Sequence, residues 1–169
     1  MALILTLGFD SSAFGWFEPT RQAFFPPARN FIPAHLTLFQ QLPSEEHARV
    51  AEDCRAVAGR TAPLRLAAAE LLDFGGGTAV RLDMPRYLPL LRELQDLWEP
   101  MLTRQDRQTR RAHVTLQNKV PRARARADRD AIAARFTPFE GVADRLMLWH
   151  YRGGPWEAIA QYDLEGEPA

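Results

Sequence analysis

A phrase that the chain contains twice constrains its fold more than any other feature. The first copy is AHLTLFQQLP, which includes His35 and Thr37, and the second is AHVTLQNKVP, which includes His113 and Thr115. The two histidines are 78 residues apart (113 − 35 = 78). In an extended strand, side chains two positions apart lie on the same face, about 6.6 Å from each other. Each copy therefore predicts a strand that presents an imidazole and a hydroxyl on one face and apolar side chains on the other.

Length and charge limit the classes of protein to which the chain can belong. It has 169 residues, of which 46% are hydrophobic, which is enough for one globular domain and short for two independent ones. We therefore treat residues 1–169 as a single domain. The 21 Lys and Arg residues balance the 21 Asp and Glu residues. The chain thus lacks the overall positive field that holds a long polyanion, and any contact with nucleic acid should be local.

The single cysteine and the first residues bear on location. Cys54 has no partner for an intrachain disulfide and fits no zinc-ribbon spacing, which favours a reducing compartment. The first nine residues are apolar but lack the basic start of a signal peptide, and their run ends at Asp10, too short to span a membrane. We expect a cytoplasmic protein with no membrane partner. We also expect a monomer, because an internal repeat removes the need for a second copy.

Hydrophobic periodicity and turn residues divide the chain into strands and helices. Three glycines at 75–77 can adopt the positive φ angles of a hairpin turn, so the strands on either side should be antiparallel. The predicted strands cover residues 1–9, 34–40, 64–73, 78–83, 112–118, 139–150 and 156–164. The predicted helices cover residues 13–25, where Pro19 interrupts the pattern, and 43–59, 87–102 and 122–135.

The order of these elements repeats along with the motif. Each copy begins a unit of strand, helix, strand and strand, and the prolines that introduce the third element, Pro63 and Pro138, are 75 residues apart (138 − 63 = 75). Two copies are too few for a solenoid and favour a duplicated lobe. We predict an α+β fold of two lobes, with two antiparallel-rich sheets facing a central cleft and helices on the outer faces. Both motif histidines would lie in that cleft.

Two histidines in one cleft can perform paired acid–base catalysis. An ordinary imidazole titrates at about pH 6.5, so one ring can be neutral while the other is charged near neutral pH. To open a cyclic phosphodiester, the neutral ring takes a proton from water and the charged ring gives a proton to the leaving ribose oxygen. The hydroxyls of Thr37 and Thr115 would donate hydrogen bonds to the phosphoryl oxygens. The sequence leaves open which of His35 and His113 is the base.

The doubled His-hydrophobic-Thr-hydrophobic motif, with Ala before it and Leu-Pro or Val-Pro after it, resembles the two-histidine phosphoesterase superfamily. The likeness is to its bacterial 2'-5' RNA ligase and cyclic phosphodiesterase branch, and it covers nearly the whole chain. The resemblance implies a bilobal fold, catalysis without a metal or other cofactor, and roles in the reaction for the motif residues His35, Thr37, His113 and Thr115. It also implies substrates such as RNA ends or nucleotides that carry 2',3'-cyclic phosphate or 2'-5' linkages.

Strand alternation extends the polar face of each motif beyond its threonine. On the first strand it adds Phe39, on which a base could stack. On the second strand it adds Gln117 and then Lys119, which could meet a phosphate. Some members of the family carry an arginine shortly after the second motif, where this chain has Gln117-Asn118-Lys119. We therefore take Phe39, Gln117 and Lys119 as the candidate substrate-binding residues.

Several other side chains have simpler interpretations. Arg21, Arg111 and Arg152 are alternative cations for a phosphate, but isolated arginines mostly lie solvated on the surface. The aromatic residues near the last turn, Trp149, Tyr151 and Trp156, should belong to the core rather than bind a base.

The remaining histidines and the absence of a ligand set also bear on the site. His47 follows two glutamates near a helix start and should be solvated, whereas His150 could line the cleft. No Cys, Asp or Glu recurs at ligand spacing with His35 and His113, so we predict no metal site.

Two classes of function fit these residues. The first is an enzyme that acts on 2',3'-cyclic or 2'-5' phosphodiesters, as a hydrolase or a ligase, since the same acid–base pair serves both directions. The second is a binding module that holds an RNA end or a nucleotide phosphate in the same cleft without turnover. The intact pair of motifs favours the enzyme.

Overall fold

Strands and helices alternate in an α+β arrangement across residues 1–168, which the computed structural model describes. The strands are β1 (Ala2–Phe9), β2 (Leu36–Pro43), β3 (Leu64–Asp73), β4 (Thr78–Asp83), β5 (His113–Gln117), β6 (Phe139–Tyr151) and β7 (Glu157–Asp163). The helices are α1 (Ser11–Phe24), α2 (His47–Arg60), α3 (Tyr87–Trp98) and α4 (Arg122–Arg135). The predicted fold class is confirmed. Within residues 1–168, no helix has the length and apolar composition needed to cross a membrane.

The seven strands form one antiparallel sheet, where two sheets were predicted. Its order is β2-β1-β6-β3-β4-β5. One side of β6 pairs with β1, and the other side is shared by β3, which pairs with its first residues, and β7, which pairs with its later ones. The sheet therefore forks at β6. This order is symmetric about its centre: β2 and β5 lie at the two ends, β1 and β4 lie next to them, and β6 and β3 lie in the middle. The two motif strands are therefore equivalent edges.

The two edge strands β2 and β5 nevertheless contact each other, because the sheet curls. The segment between α3 and β5 holds them together. Its Asp106 carboxylate, only 1% exposed, accepts hydrogen bonds from the backbone N–H groups of Gln40 and Gln41 at 3.0 and 2.9 Å. Arg110 of the same segment donates a hydrogen bond to the carbonyl of Leu38 at 3.1 Å. These bonds fix the strand of the first motif against the segment that enters the second.

Both motif strands carry a β-bulge at the same position of the repeat. In each case one residue of the partner strand is matched by two residues of the motif strand, so Leu38 and Leu116 are the extra residues. They are separated by the same 78 residues as the histidines (116 − 38 = 78). A bulge reverses the alternation of the side chains beyond it. Phe39 and Gln117, which follow the bulges, consequently turn into the interior, and each is 0% exposed.

Helix α1 continues through Pro19, so the predicted interruption is wrong. The Asp10 carboxylate caps the helix by accepting a hydrogen bond from the backbone N–H of Ala13 at 3.0 Å. The face that includes Ala13, Phe17 and Arg21 is buried, and α1 packs against β5 and β6. Proline removes one backbone hydrogen bond, and this packing along the length of the helix offsets that loss.

Gly77 allows β4 to approach β5 closely beside the second bulge. A Cβ atom at this position would lie 1.9 Å from the carbonyl oxygen of Gln117. Gly77→Ala should therefore force the two strands apart and lower the free energy of unfolding by about 2 kcal/mol or more. The matched control is Gly15→Ala in α1, where a Cβ atom meets nothing within 4 Å and alanine favours the helix. Urea unfolding measures both variants, and equal stability of the two would contradict the expectation.

Candidate active site

The two motif histidines make the same hydrogen bond. Nδ1–H of His35 donates to the carbonyl of Pro33, and Nδ1–H of His113 donates to the carbonyl of Arg111, each at 2.8 Å. A carbonyl oxygen can only accept, so Nδ1 of each ring must carry a proton. The atom that takes up or releases a proton is therefore Nε2 in both rings.

The surroundings of His35 favour its neutral form. The ring lies at the entry to β2, and its burial lowers its pKa to about 4, with smaller contributions from the positive charges of Arg21 and His113. Only the hydrogen bond to Pro33 acts in the opposite direction. His35 is thus neutral at neutral pH, and the influence of His113 on its pKa means that the two rings interact electrostatically.

A pocket of about 250 Å³ joins parts of both motifs. It is lined by His35 from the first motif, by Thr115 from the second and by Arg21 from α1. Thr37 and His113 are half-buried and lie outside its lining. The rest of the wall is mostly apolar apart from one further cation, Arg29, and its residues are Phe25, Arg29, Phe31, Ile32, Asn118, Gly154, Pro155 and Trp156.

Aromatic rings close to His35 give the pocket a stacking surface. The rings of His35 and Trp156 have centroids 5.4 Å apart at an angle of 57°. Trp156 is half-buried, so the expectation that it belongs to the core is wrong. Phe31, on the loop that precedes β2, is 61% exposed, which is unusual for a large apolar side chain. The pocket therefore offers planar rings beside a titrating imidazole.

Two of the predicted substrate-binding residues are buried away from the pocket. Phe39 packs against Trp98 with ring centroids 5.2 Å apart, so no base can stack on it. Gln117 donates a hydrogen bond to the carboxylate of Asp128 at 2.6 Å and ties β5 to α4. Both assignments fail for one reason: the bulges turn these side chains to the opposite face of their strands.

Other candidate residues also lie outside the lining of the pocket. Lys119 is exposed beyond the end of β5 in a left-handed conformation (φ 60°), and its neighbour Asn118 lines the pocket instead. His150 packs against His47, with ring centroids 5.4 Å apart. Among residues 1–168, no three His, Cys, Asp or Glu side chains are grouped as metal ligands.

Arg21 is a candidate functional residue whose burial the sequence did not predict. It was expected to be solvated, but it is only 3% exposed and lines the pocket. A signal for this position exists in the sequence. Ala13, Phe17 and Arg21 are each four residues apart, so they share the buried face of α1.

Comparison with known proteins identifies the family. The model of the 2'-5' RNA ligase superfamily matches residues 9–155, a range that includes both copies of the motif. The chain belongs to this superfamily. No curated protein matches the chain in sequence.

Solved structures share the fold of this 2'-5' RNA ligase superfamily member. TT0787 of Thermus thermophilus superposes with a TM-score of 0.70 at 17% identity, covering 99% of this chain and 100% of that one. E. coli LigT complexed with 3'-AMP superposes with a TM-score of 0.58 at 16% identity, covering 96% of this chain and 97% of that one. LigT complexed with NADP+ gives 0.53 at 17% identity, with 97% and 98% covered. At these identities the likeness is one of fold.

The lowered pKa of His35 predicts how the stability of the protein depends on pH. Its pKa is about 4 in the folded protein and about 6.5 in an unfolded chain, so the unfolded state binds the proton first as the pH falls. The contribution of His35 to stability is therefore fully present above about pH 6.5 and is lost as the pH falls towards 4.

An NMR titration of the ring signals should find His35 neutral at pH 5. The free energy of unfolding should fall less between pH 7 and pH 4 in His35→Gln than in the unmutated protein. A midpoint for His35 near pH 6.5 would contradict its burial beside Arg21.

Proposed function

We propose that this chain hydrolyses 2',3'-cyclic phosphates or 2'-5' phosphodiester bonds in RNA ends or nucleotides, without a metal. The observation that carries the proposal is the pair of imidazoles on the two joined edges of the sheet. Both rings are anchored through Nδ1, and one of them is held neutral. Membership in the 2'-5' RNA ligase superfamily supports it. The neighbouring E. coli LigT, crystallised with 3'-AMP and NADP+, supports a nucleotide as ligand.

In the proposed reaction His35 is the general base and His113 the general acid. Nε2 of neutral His35 takes a proton from water as the water oxygen bonds to phosphorus. The bond between phosphorus and the ribose oxygen breaks, and Nε2–H of charged His113 protonates that oxygen. The product is a phosphate monoester, and the net transfer of one proton from His113 to His35 is reversed through solvent before the next turnover.

The threonines would stabilise the charge that develops on the phosphoryl group. Thr37 and Thr115 each stand two residues after a motif histidine and before the bulge, so each shares a strand face with its histidine. Both threonines are half-buried, and their hydroxyls can donate to non-bridging oxygens. The bulge that follows each threonine turns the next side chain inward and leaves the face open to a ligand.

The nucleoside would lie against the aromatic part of the pocket. Trp156 packs against His35 and Phe31 lines the same pocket, whereas Phe39, the stacking residue expected from the sequence, is buried. Stacking accepts any base, because every base has a π face. We therefore propose a nucleotide or the terminal nucleotide of an RNA as the bound unit, with little preference among bases.

The catalytic assignment is tested with a 2',3'-cyclic nucleotide in the presence of a chelator. His35→Ala and His113→Ala should each lower kcat/KM by about 10² or more, because each removes one proton-transfer group. His47→Ala is the matched control: it removes a histidine outside the pocket and should leave the rate unchanged. Loss of activity in the chelator would contradict metal-independent catalysis. If the unmutated protein binds the nucleotide but does not turn it over, the chain is a binding module.

The pH profile tests which histidine is the base. With His35 as base, kcat/KM should hold as the pH is lowered to about 5, because the pKa of this ring is about 4. A decline that begins at about pH 6.5 on the acid side would contradict a base whose pKa is about 4.

The stacking surface is tested with Phe31→Ala. Since stacking contributes about 1–3 kcal/mol per base, KM for a cyclic nucleotide should rise about tenfold. Phe74→Ala, which removes an exposed ring at the tight turn between β3 and β4, is the matched control and should leave KM unchanged. An equal effect of the two substitutions would contradict a role for Phe31 in binding the base.

A further inference from the structure

We propose that Arg21 is the phosphate-binding cation of this site and that it reaches the phosphoryl group from α1 rather than from the strand of the second motif. The inference rests on the proposed function, because it assigns a residue to the anion on which that function acts. It also answers a question that the sequence raises, since the positions after the second motif, Gln117-Asn118-Lys119, contain no arginine.

The residues after the second motif are poor candidates for the role. Gln117 is buried and engaged with Asp128. Lys119 is exposed and does not line the pocket. Asn118 lines the pocket but carries no charge. The cation must therefore come from another element, and two arginines line the pocket: Arg29, which is exposed on the segment before β2, and Arg21, which is buried on α1.

Two hydrogen bonds and one aromatic ring hold the guanidinium of Arg21 in place. Nε–H donates to the Oδ1 atom of Asn30 at 3.0 Å, and Nη1–H donates to the carbonyl of Thr115 at 2.8 Å. The central carbon lies 4.0 Å from the centroid of the Phe25 ring. Arginine has five N–H donors in a planar fork, so donors remain for a ligand. A fixed fork of this kind suits the oxygens of a phosphate.

The positive charge of Arg21 has no ion-pair partner. Among residues 1–168, no carboxylate oxygen lies within 4.0 Å of its nitrogens. Burial lowers the pKa of Arg21 to about 10, and Glu18 of the same helix only partly offsets this. Buried charges are usually paired, because an unpaired one loses its hydration without compensation. A bound anion would supply the missing partner.

The position of Arg21 joins it to the reacting groups. It lines the same pocket as His35 and Thr115, and its hydrogen bond goes to the backbone of Thr115 itself. Its charge also acts on His35, whose pKa it lowers. A phosphate held by Arg21 would therefore lie within reach of the proposed base and of one hydroxyl donor.

The test compares Arg21→Gln, Arg21→Lys and the unmutated protein, with Arg55→Gln on α2 as the matched control for loss of an exposed arginine. The probes are inorganic phosphate, with binding measured by calorimetry, and a 2',3'-cyclic nucleotide, with turnover measured. We expect Arg21→Gln to weaken phosphate binding at least tenfold and to lower kcat/KM at least 10²-fold. We expect Arg21→Lys to recover part of both, and Arg55→Gln to change neither.

Two further measurements test the charge of Arg21 beside His35 and its contact with phosphate. In Arg21→Gln the pKa of His35 should rise, because one of the two cations that face it, Arg21 on α1 and His113 on β5, is removed. In the unmutated protein the Nε–H signal of Arg21 should shift on titration with phosphate, a readout that needs no variant to fold. Unchanged phosphate affinity in folded Arg21→Gln, or an Nε–H signal that ignores phosphate, would overturn the proposal.

The same experiments distinguish this inference from the proposed function. If the protein binds phosphate through Arg21 but does not turn over the cyclic nucleotide, the proposed enzymatic function is wrong and the proposed anion site stands. If the protein turns over the nucleotide equally well with and without Arg21, the proposed enzymatic function stands and the proposed role of Arg21 is wrong.

Discussion

The buried carboxylate of Asp106 is the contact on which the geometry of this site depends. The two motif strands end the main strand order β2-β1-β6-β3-β4-β5, and the two ends of an open sheet ordinarily lie far apart. Asp106 bonds the backbone of β2 to the segment that runs into β5, so the curled sheet keeps His35 and His113 within electrostatic reach. Hydrogen bonds to an ionised acceptor are about twice as strong as those between neutral groups. One short segment outside the sheet thus aligns both halves of the site.

The two motifs have the same backbone geometry but lie in different surroundings. Both histidines donate Nδ1–H to a carbonyl two residues earlier, and both strands bulge after the threonine. Only His35 lies in the pocket, beside Arg21 and Trp156, where burial holds it neutral. Acid and base roles arise from such differences in environment between chemically identical groups. Helix α1 and the loop before β2 line the pocket on the side of His35.

The sequence predicted the parts of the site that depend on local patterns. The repeat predicted the strand that follows each motif histidine, and the bounds predicted for α4 from the proline before it, residues 122–135, match the structure. Phe39 and Gln117 were misplaced because a bulge depends on how two strands pair, which a single strand does not reveal. Arg21 was underestimated because its burial results from α1 packing on β5, a contact between distant parts of the chain. The single forked sheet was missed for the same reason, since the pairing of β6 with β1, β3 and β7 depends on contacts between distant parts of the chain.

The side chains that join β2 to β5 also close the open edges of the sheet. An edge strand exposes unpaired backbone groups on which another chain can add a strand, a common route to aggregation. Here Asp106 accepts hydrogen bonds from two backbone N–H groups of β2. Arg110 donates a hydrogen bond to the carbonyl of Leu38, and Arg21 donates one to the carbonyl of Thr115. A second copy of the chain would have to displace charged side chains before it could pair with either edge. The contacts that assemble the pocket thereby protect these two edges from strand exchange.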